Sequence, residues 1–281
     1  MVAERGALSS YHVAMVPMLS RPGALADMGR AAARWLGGWW QIVHLGALLL
    51  VLALLPSSYS GASRARLARE IYLDTAPILL WFTLLAALIG LVLIRIVVVT
   101  AASYGLSQYA LQMVVRVLVL ELIPLTAAIF VALRIGLPDG RELARMRLRG
   151  ELDALRQRGI DPLRHEVLPR VLAGGFAVLM LAAVAGVVTL VLAYLSVHGF
   201  TPGGLARYTR TVGQVFSPAM TLIFTIKTLL LALAVSLIPV ASALYDLPRG
   251  RVRTSPELQA LVRLFLVMLL IEAASLIGNY Y

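Results

Sequence analysis

Long apolar runs separated by short polar connections set the layout of this chain, and its longest polar stretch lies near the middle. Residues 1–30 are mixed, and a first apolar run extends from Trp35 to Leu55. Five longer runs follow, at approximately 72–103, 108–136, 167–197, 216–245 and 257–279. Each exceeds the roughly 20 residues a helix needs to cross a bilayer core, so tilt or extension beyond the bilayer is expected. The pattern predicts an all-α integral membrane protein. Between the second and third long runs lies Asp139–Arg170, the only long charged segment, with eight arginines and six acids. Within it Leu143, Met146, Leu152 and Leu155 fall roughly on one helical face. Strong helix formers continue until Gly159 and the Asp161-Pro162 step, predicting an amphipathic helix over 139–160.

The connections differ in charge, and that sets the expected topology. Residues 104–107 carry none, the 139–166 loop is strongly basic, 198–215 holds Arg207 and Arg210, and 246–256 holds Arg249, Arg251 and Arg253. Basic loops mark the cytoplasmic side. The first run opens with Trp35, Trp39 and Trp40, residues that favour the membrane interface. It is flanked by Arg5, Arg21, Arg30 and Arg34 before it and by Arg64, Arg66 and Arg69 after it. Both flanks are basic, so this run is expected to enter and leave on one side as an interfacial or elbow helix. The expectation is five spans, N-terminus cytoplasmic and C-terminus outside, in one membrane domain over 1–281: an N-terminal region 1–56, a five-span core 72–279 and the charged helix 139–160.

Composition narrows the functional classes. The chain is 60% hydrophobic with a mean hydropathy of +0.87, well above ordinary soluble domains. With no cysteine and four scattered histidines, no thiolate chemistry and no metal or cofactor site is expected. The net charge of +11 comes almost wholly from arginines beside apolar runs, where membrane topology and anionic lipid account for them without nucleic acid. No GxxxxGK[ST] motif is present, so any ATP hydrolysis belongs to a separate subunit. Serine and histidine never come together in a recognisable catalytic pattern, which argues against an intramembrane enzyme.

Five ionisable residues fall inside the long runs: Arg95, Arg116, Glu121, Lys227 and Glu272. Each is costly in hydrocarbon, about 2.5 to 3.5 kcal/mol on insertion scales, and should face protein or a wet cavity. Counted from the expected helix ends at about 1.5 Å per residue, Glu121 and Lys227 lie at similar depth and are placed to pair, whereas Arg95, Arg116 and Glu272 lie nearer the outer surface. Together they form an expected polar belt of three cations and two anions, suited to a lipid headgroup between apolar walls. The bland alternative is that they only pair and fix helix register. The small residues Ala173, Gly174, Gly175, Ala177, Ala182, Ala183, Ala185 and Gly186 suit close helix packing, within the chain or between subunits.

The ordered series Glu121-x-x-Pro124, Arg134-x-Gly136, Glu142-x-x-x-Met146, Glu151-x-x-x-Leu155, Asp161-Pro162-Leu163 and Pro169-Arg170 resembles the MlaE/YrbE permease family, from about Arg69 to the C-terminus. It departs from the family pattern at Leu120, Ile123, Ala144 and Leu137-Pro138-Asp139-Gly140. The resemblance implies the membrane subunit of an ABC-type transporter in the bacterial inner membrane. That subunit would be a non-catalytic homodimer moving phospholipid or a related lipid, with a cytoplasmic ABC ATPase and an extracytoplasmic MCE protein as partners. It also implies an N-terminal elbow helix, and it places Glu121, Lys227 and Glu272 where the family has charged residues. The charged helix becomes a coupling helix for the ATPase, with Glu142, Met146, Glu151, Leu155 and Asp161 as its candidate contacts. A secondary transporter or channel using the intramembrane charges, and a non-transporting scaffold, are the alternatives. The lack of a convincing internal repeat counts against the former.

Overall fold

A computed structural model of the chain describes residues 24–59, 61–245 and 256–280. The arginines at 5, 21, 249, 251 and 253 lie outside the described residues. The chain divides into two compact units, Met1–Trp40 and Gln41–Tyr281, and the packing below concerns the second.

The described residues form eight helices, two short helical turns at Pro56–Tyr59 and Pro202–Gly204, and no strand. The helices are α1 (Ala24–Leu54), α2 (Gly61–Ser103), α3 (Ser107–Leu148), α4 (Glu151–Gln157), α5 (Leu163–His198), α6 (Leu205–Val215), α7 (Pro218–Tyr245) and α8 (Pro256–Tyr280). Six of these, α1, α2, α3, α5, α7 and α8, are long and apolar enough to cross a membrane. The run read as a non-spanning elbow is therefore in the same class as the other five by length and composition, through its stretch Gly37–Leu54. Within the second unit α1 buries Ile42, Leu45, Leu49 and Leu52, a stripe at helical spacing, and leaves Val43, Leu50, Val51 and Leu54 exposed.

The interior is built from α3, α5 and α7. Helix α2 packs along α5, and α7 packs against α5, α8 and α3. Large apolar side chains such as Leu80, Trp81, Leu88, Val92 on α2 and Val262, Leu269, Leu270 on α8 remain exposed, as the lipid-facing surface of a membrane bundle requires. The small residues of α5 have an intramolecular use: Ala173, Gly174, Ala177, Ala182, Ala185 and Gly186 are buried within this chain. Close approach is tightest between α3 and α7. A Cβ on Gly136 would lie 2.7 Å from the Val235 carbonyl oxygen, and one on Gly140 would lie 2.9 Å from that of Pro239.

Helix α3 differs from the sequence expectation, which ended a span near residue 136 and began a separate helix at 139. The helix is continuous to Leu148, because Pro138 and Asp139 sit where the backbone remains helical. The break comes later, at Gly150, whose φ of +73° places it in the left-handed region. The expected 139–160 helix is thus the end of α3 plus the short α4. Three wide turns interrupt the α-helical winding, at Val115–Leu122, Ala132–Gly136 and Leu163–Val167. Each is followed by a proline, Pro124, Pro138 or Pro169, which lacks the N–H that would bond the carbonyl four residues earlier. Sequence reading also missed α6, a strongly amphipathic helix inside the 198–215 connection. Its Tyr208 is buried and donates to the Leu190 carbonyl at 2.7 Å, and burial pushes that hydroxyl up to about 12.

Candidate functional site

Lys227, the only lysine in the chain, is buried on α7 with 2% of its side chain exposed. Its ammonium is ion-paired with Glu121 of α3 and lies 2.7 Å from Glu272 Oε2 of α8. It also reaches the Leu120 carbonyl oxygen at 3.4 Å. That last contact follows from the chain: Leu120 lies four residues before Pro124, so its carbonyl has lost its usual intrahelical donor. Pro124, the wide turn around Glu121 and the single lysine therefore form one local arrangement.

The carboxylates are held in turn. Asn279 Nδ2 donates to Glu121 Oε1 at 2.8 Å, so α8 reaches α3 directly as well as through Lys227. Glu272, Ser275 and Asn279 recur at i, i+3 and i+7 and make one polar stripe in the otherwise apolar second half of α8. Glu272 Oε1, Ser275 Oγ and Asn279 Oδ1 are buried without a hydrogen-bond partner among the described residues. Such atoms are costly in an apolar surround, and here they cluster on the face turned toward Lys227. Sequence reasoning singled out Glu272 and overlooked Ser275 and Asn279, although their spacing was a usable signal.

Depth counting separated Glu272 from Lys227, and the structure joins them. Lys227 is nine residues from the start of α7 and Glu272 eight from the end of α8, or roughly 13 and 12 Å at 1.5 Å per residue. The two residues' difference in the assumed start of α7, about 3 Å at 1.5 Å per residue, accounts for about half of the discrepancy. The five expected belt residues do not all converge. Arg95 is exposed on α2, and Arg116 is half-buried on α3, one turn from Glu121 toward the Ser107 end. The assembled cluster is one cation between two carboxylates, not a net positive belt. Among the described residues no group of three His, Asp or Glu side chains could hold a metal.

At the other end of the bundle, the arginine-rich one, the charged segment is fixed by packing and ion pairs. Leu143 and Leu152 are buried, so the apolar face of the segment is covered by this chain. Glu142, paired with Arg145 at 3.7 Å, and Glu151, paired with Arg149 at 3.6 Å, remain on the exposed side. Leu155 is half-buried. Met146 Sδ accepts from Arg170 at 3.7 Å, and Asp161 accepts the Leu163 N–H at 3.0 Å, which caps the start of α5. A network missed in the sequence ties α2 to α5: Arg66 lies 2.8 Å from Glu166 Oε1, and Arg170 lies 3.2 Å from Glu166 Oε2. Arg66 also donates to the His165 carbonyl at 3.2 Å. That oxygen is four residues before Pro169, the same arrangement as at Leu120.

The sequence model of the family described as Permease MlaE matches residues 67–277, which contain the Lys227 cluster up to Glu272, the charged segment and, of the arginine network, Glu166 and Arg170. The chain belongs to the MlaE permease family. It is accordingly a multi-pass membrane permease and not a catalytic subunit. No curated protein matches it. The MlaE match begins at residue 67, within α2, and leaves α1 outside.

Proposed function

We propose that this chain is the permease subunit of an ABC-type transporter in the bacterial inner membrane. It moves phospholipid or a related lipid to or from an MCE-protein conduit, as a homodimer driven by a separate cytoplasmic ATPase. The observation that carries the reading is Lys227, buried between carboxylates on two other helices and beside buried polar atoms without partners. A cluster of this kind inside a membrane bundle is expensive, and it marks a path for a polar group.

The mechanism follows from helix connectivity. Glu121 and the exposed acid Glu142 lie on the same continuous helix, α3. From Glu121 to Leu148 is roughly 40 Å at 1.5 Å per residue, with no loop to absorb a displacement. ATPase closure against the end of α3 and α4 therefore shifts α3 along its length, and the wide turns at Val115–Leu122 and Ala132–Gly136 are where its winding changes. Movement of α3 against α7 and α8 opens the Glu121–Lys227–Glu272 contact. A lipid phosphate then takes the ammonium from a carboxylate, while the acyl chains lie on apolar helix faces. Arg95, charged and exposed on a spanning helix of a single chain, is consistent with cover by a second copy.

The test uses the reconstituted transporter with fluorescent phospholipid. Glu272 also holds Lys227, so an apolar swap must remove all three charges: Glu121→Leu, Lys227→Met and Glu272→Leu. The variant is expected to assemble with its ATPase and to lose lipid transport at least tenfold, since a matched apolar replacement can preserve packing. Transport at the wild-type rate and abundance would reduce the cluster to a structural role. Separately, Glu142→Arg and Glu151→Arg are expected to reduce copurification of the ATPase without reducing membrane insertion. Undiminished copurification from both variants would remove the coupling role.

A further inference from the structure

Away from the Lys227 cluster, a cleft of about 260 Å³ opens at the arginine-rich end, between the last turns of α3, the end of α7 and the start of α8. Its walls include Leu137, Ala144 and Leu148 of α3, Pro239 and Ala243 of α7, and Ala260 of α8. Arg141 and Arg145, one turn apart on α3, also line it, with roughly half or more of each side chain exposed. Two further arginines bond to its wall: Arg147 donates to the Ala243 carbonyl oxygen and Arg263 to Ser242 Oγ, each at 3.4 Å. Glu257 is 4.0 Å from Arg141 and Glu142 is 3.7 Å from Arg145, contacts long enough for a stronger anion to displace. One turn back toward the spanning part of α3, Leu133 is half exposed.

We propose that this cleft binds the headgroup of an anionic phospholipid from the cytoplasmic leaflet, as a resident lipid rather than as cargo. Size, polarity and direction each support that occupant. The volume is below the usual range for a whole drug-sized ligand and suits a headgroup with its glycerol. Arginines surround an apolar floor, the arrangement that recognises anionic headgroups between spanning helices. The order along α3, Leu133 and Leu137 before Arg141 and Arg145, runs from acyl-chain depth to phosphate depth. The cleft rests on the reading that the basic end faces the cytoplasm, and it is independent of the transport path at Lys227. Because the cleft is formed where α3, α7 and α8 meet, a lipid bound there braces the three helices that also hold Lys227.

The experiment is native mass spectrometry of the full-length chain in detergent, titrated with phosphatidylglycerol and, separately, phosphatidylcholine. Phosphatidylglycerol is expected to bind more tightly. Arg141→Gln with Arg145→Gln should weaken it about thirtyfold, each cation near an anionic headgroup being worth about a factor of five, with phosphatidylcholine unaffected. Arg141→Lys with Arg145→Lys should retain most of the preference, whereas Ala144→Trp should abolish it by filling the cleft with no change of charge. Arg64→Gln with Arg69→Gln, the same charge change elsewhere, should leave it intact. Equal loss in the Arg64/Arg69 control, or unchanged phosphatidylglycerol binding in both the Gln pair and Ala144→Trp, would overturn the proposal. Loss of ATPase copurification from the Gln pair with lipid binding intact would assign the cleft to the protein partner instead.

Discussion

At the residue scale Lys227 is a buried cation shared by three helices. A buried ammonium held by two carboxylates is weak evidence of net stabilisation, since burying the charges costs nearly what the pairing returns, yet removing one partner leaves an uncompensated charge. Lys227→Met alone should therefore lower unfolding stability by about 3–5 kcal/mol, measured as thermal melting of the detergent-solubilised chain. Adding Glu121→Leu should recover part of the loss, so that the double variant is less damaged than the sum of the single variants. Strict additivity would mean that the two side chains are not coupled. Asn279→Ala removes one hydrogen bond to a charged group and should cost less, about 1.5–3 kcal/mol. The motif Glu121-x-x-Pro124 has a physical basis on this reading: the proline frees the Leu120 carbonyl, and the lysine uses it.

At the element scale, the contact of α3 with α7 depends on glycine. Gly136→Ala would drive a Cβ to 2.7 Å from the Val235 carbonyl oxygen, and backbone cannot yield as a side-chain tip can. A loss of about 1–3 kcal/mol is expected from that overpacking. Gly175→Ala on α5 meets nothing closer than Ser236 Oγ at 3.9 Å, so it should be neutral or gain a few tenths of a kcal/mol from helix propensity. Melting curves of the two variants check the contrast, and equal shifts would show that the close approach is relaxed in the membrane. The same contact positions the end of α3 over α7 and so shapes the arginine-lined cleft.

At the scale of the whole molecule, the question is whether α1 spans. Six helices qualify by length and apolarity, and an odd or even number of spans puts the termini on opposite sides or on one. The basic residues on both flanks of α1 favour the interfacial arrangement. Because the chain has no cysteine, single cysteines introduced at Ala3 and Tyr281 report sidedness cleanly with a membrane-impermeant maleimide. The position 3 probe is expected to react only from the cytoplasm and the position 281 probe only from outside. Labelling of both from the same side would establish six spans. The two probes address orientation alone, since neither depends on lipid transport or on the ATPase.

The helical class, five of the six long apolar helices, the basic end and the family were all legible in the sequence. Each rests on local or compositional quantities: run length, hydropathy, arginine bias and an ordered motif series. The Glu121 and Lys227 candidates were legible for the same reason, being rare charges in apolar runs. Tertiary structure alone decided their company. Depth counting is one-dimensional and depends on helix ends, so it separated Glu272 from Lys227, grouped an exposed Arg95 with a buried cluster, and could not see Asn279 reaching α3. The packing of α5's small residues, the continuity of α3 to Leu148 and the use of Leu120 and His165 carbonyls by distant cations are likewise pairings between separate elements. Sequence period reports which residues share a face, whereas the partner of that face is set by how the helices meet.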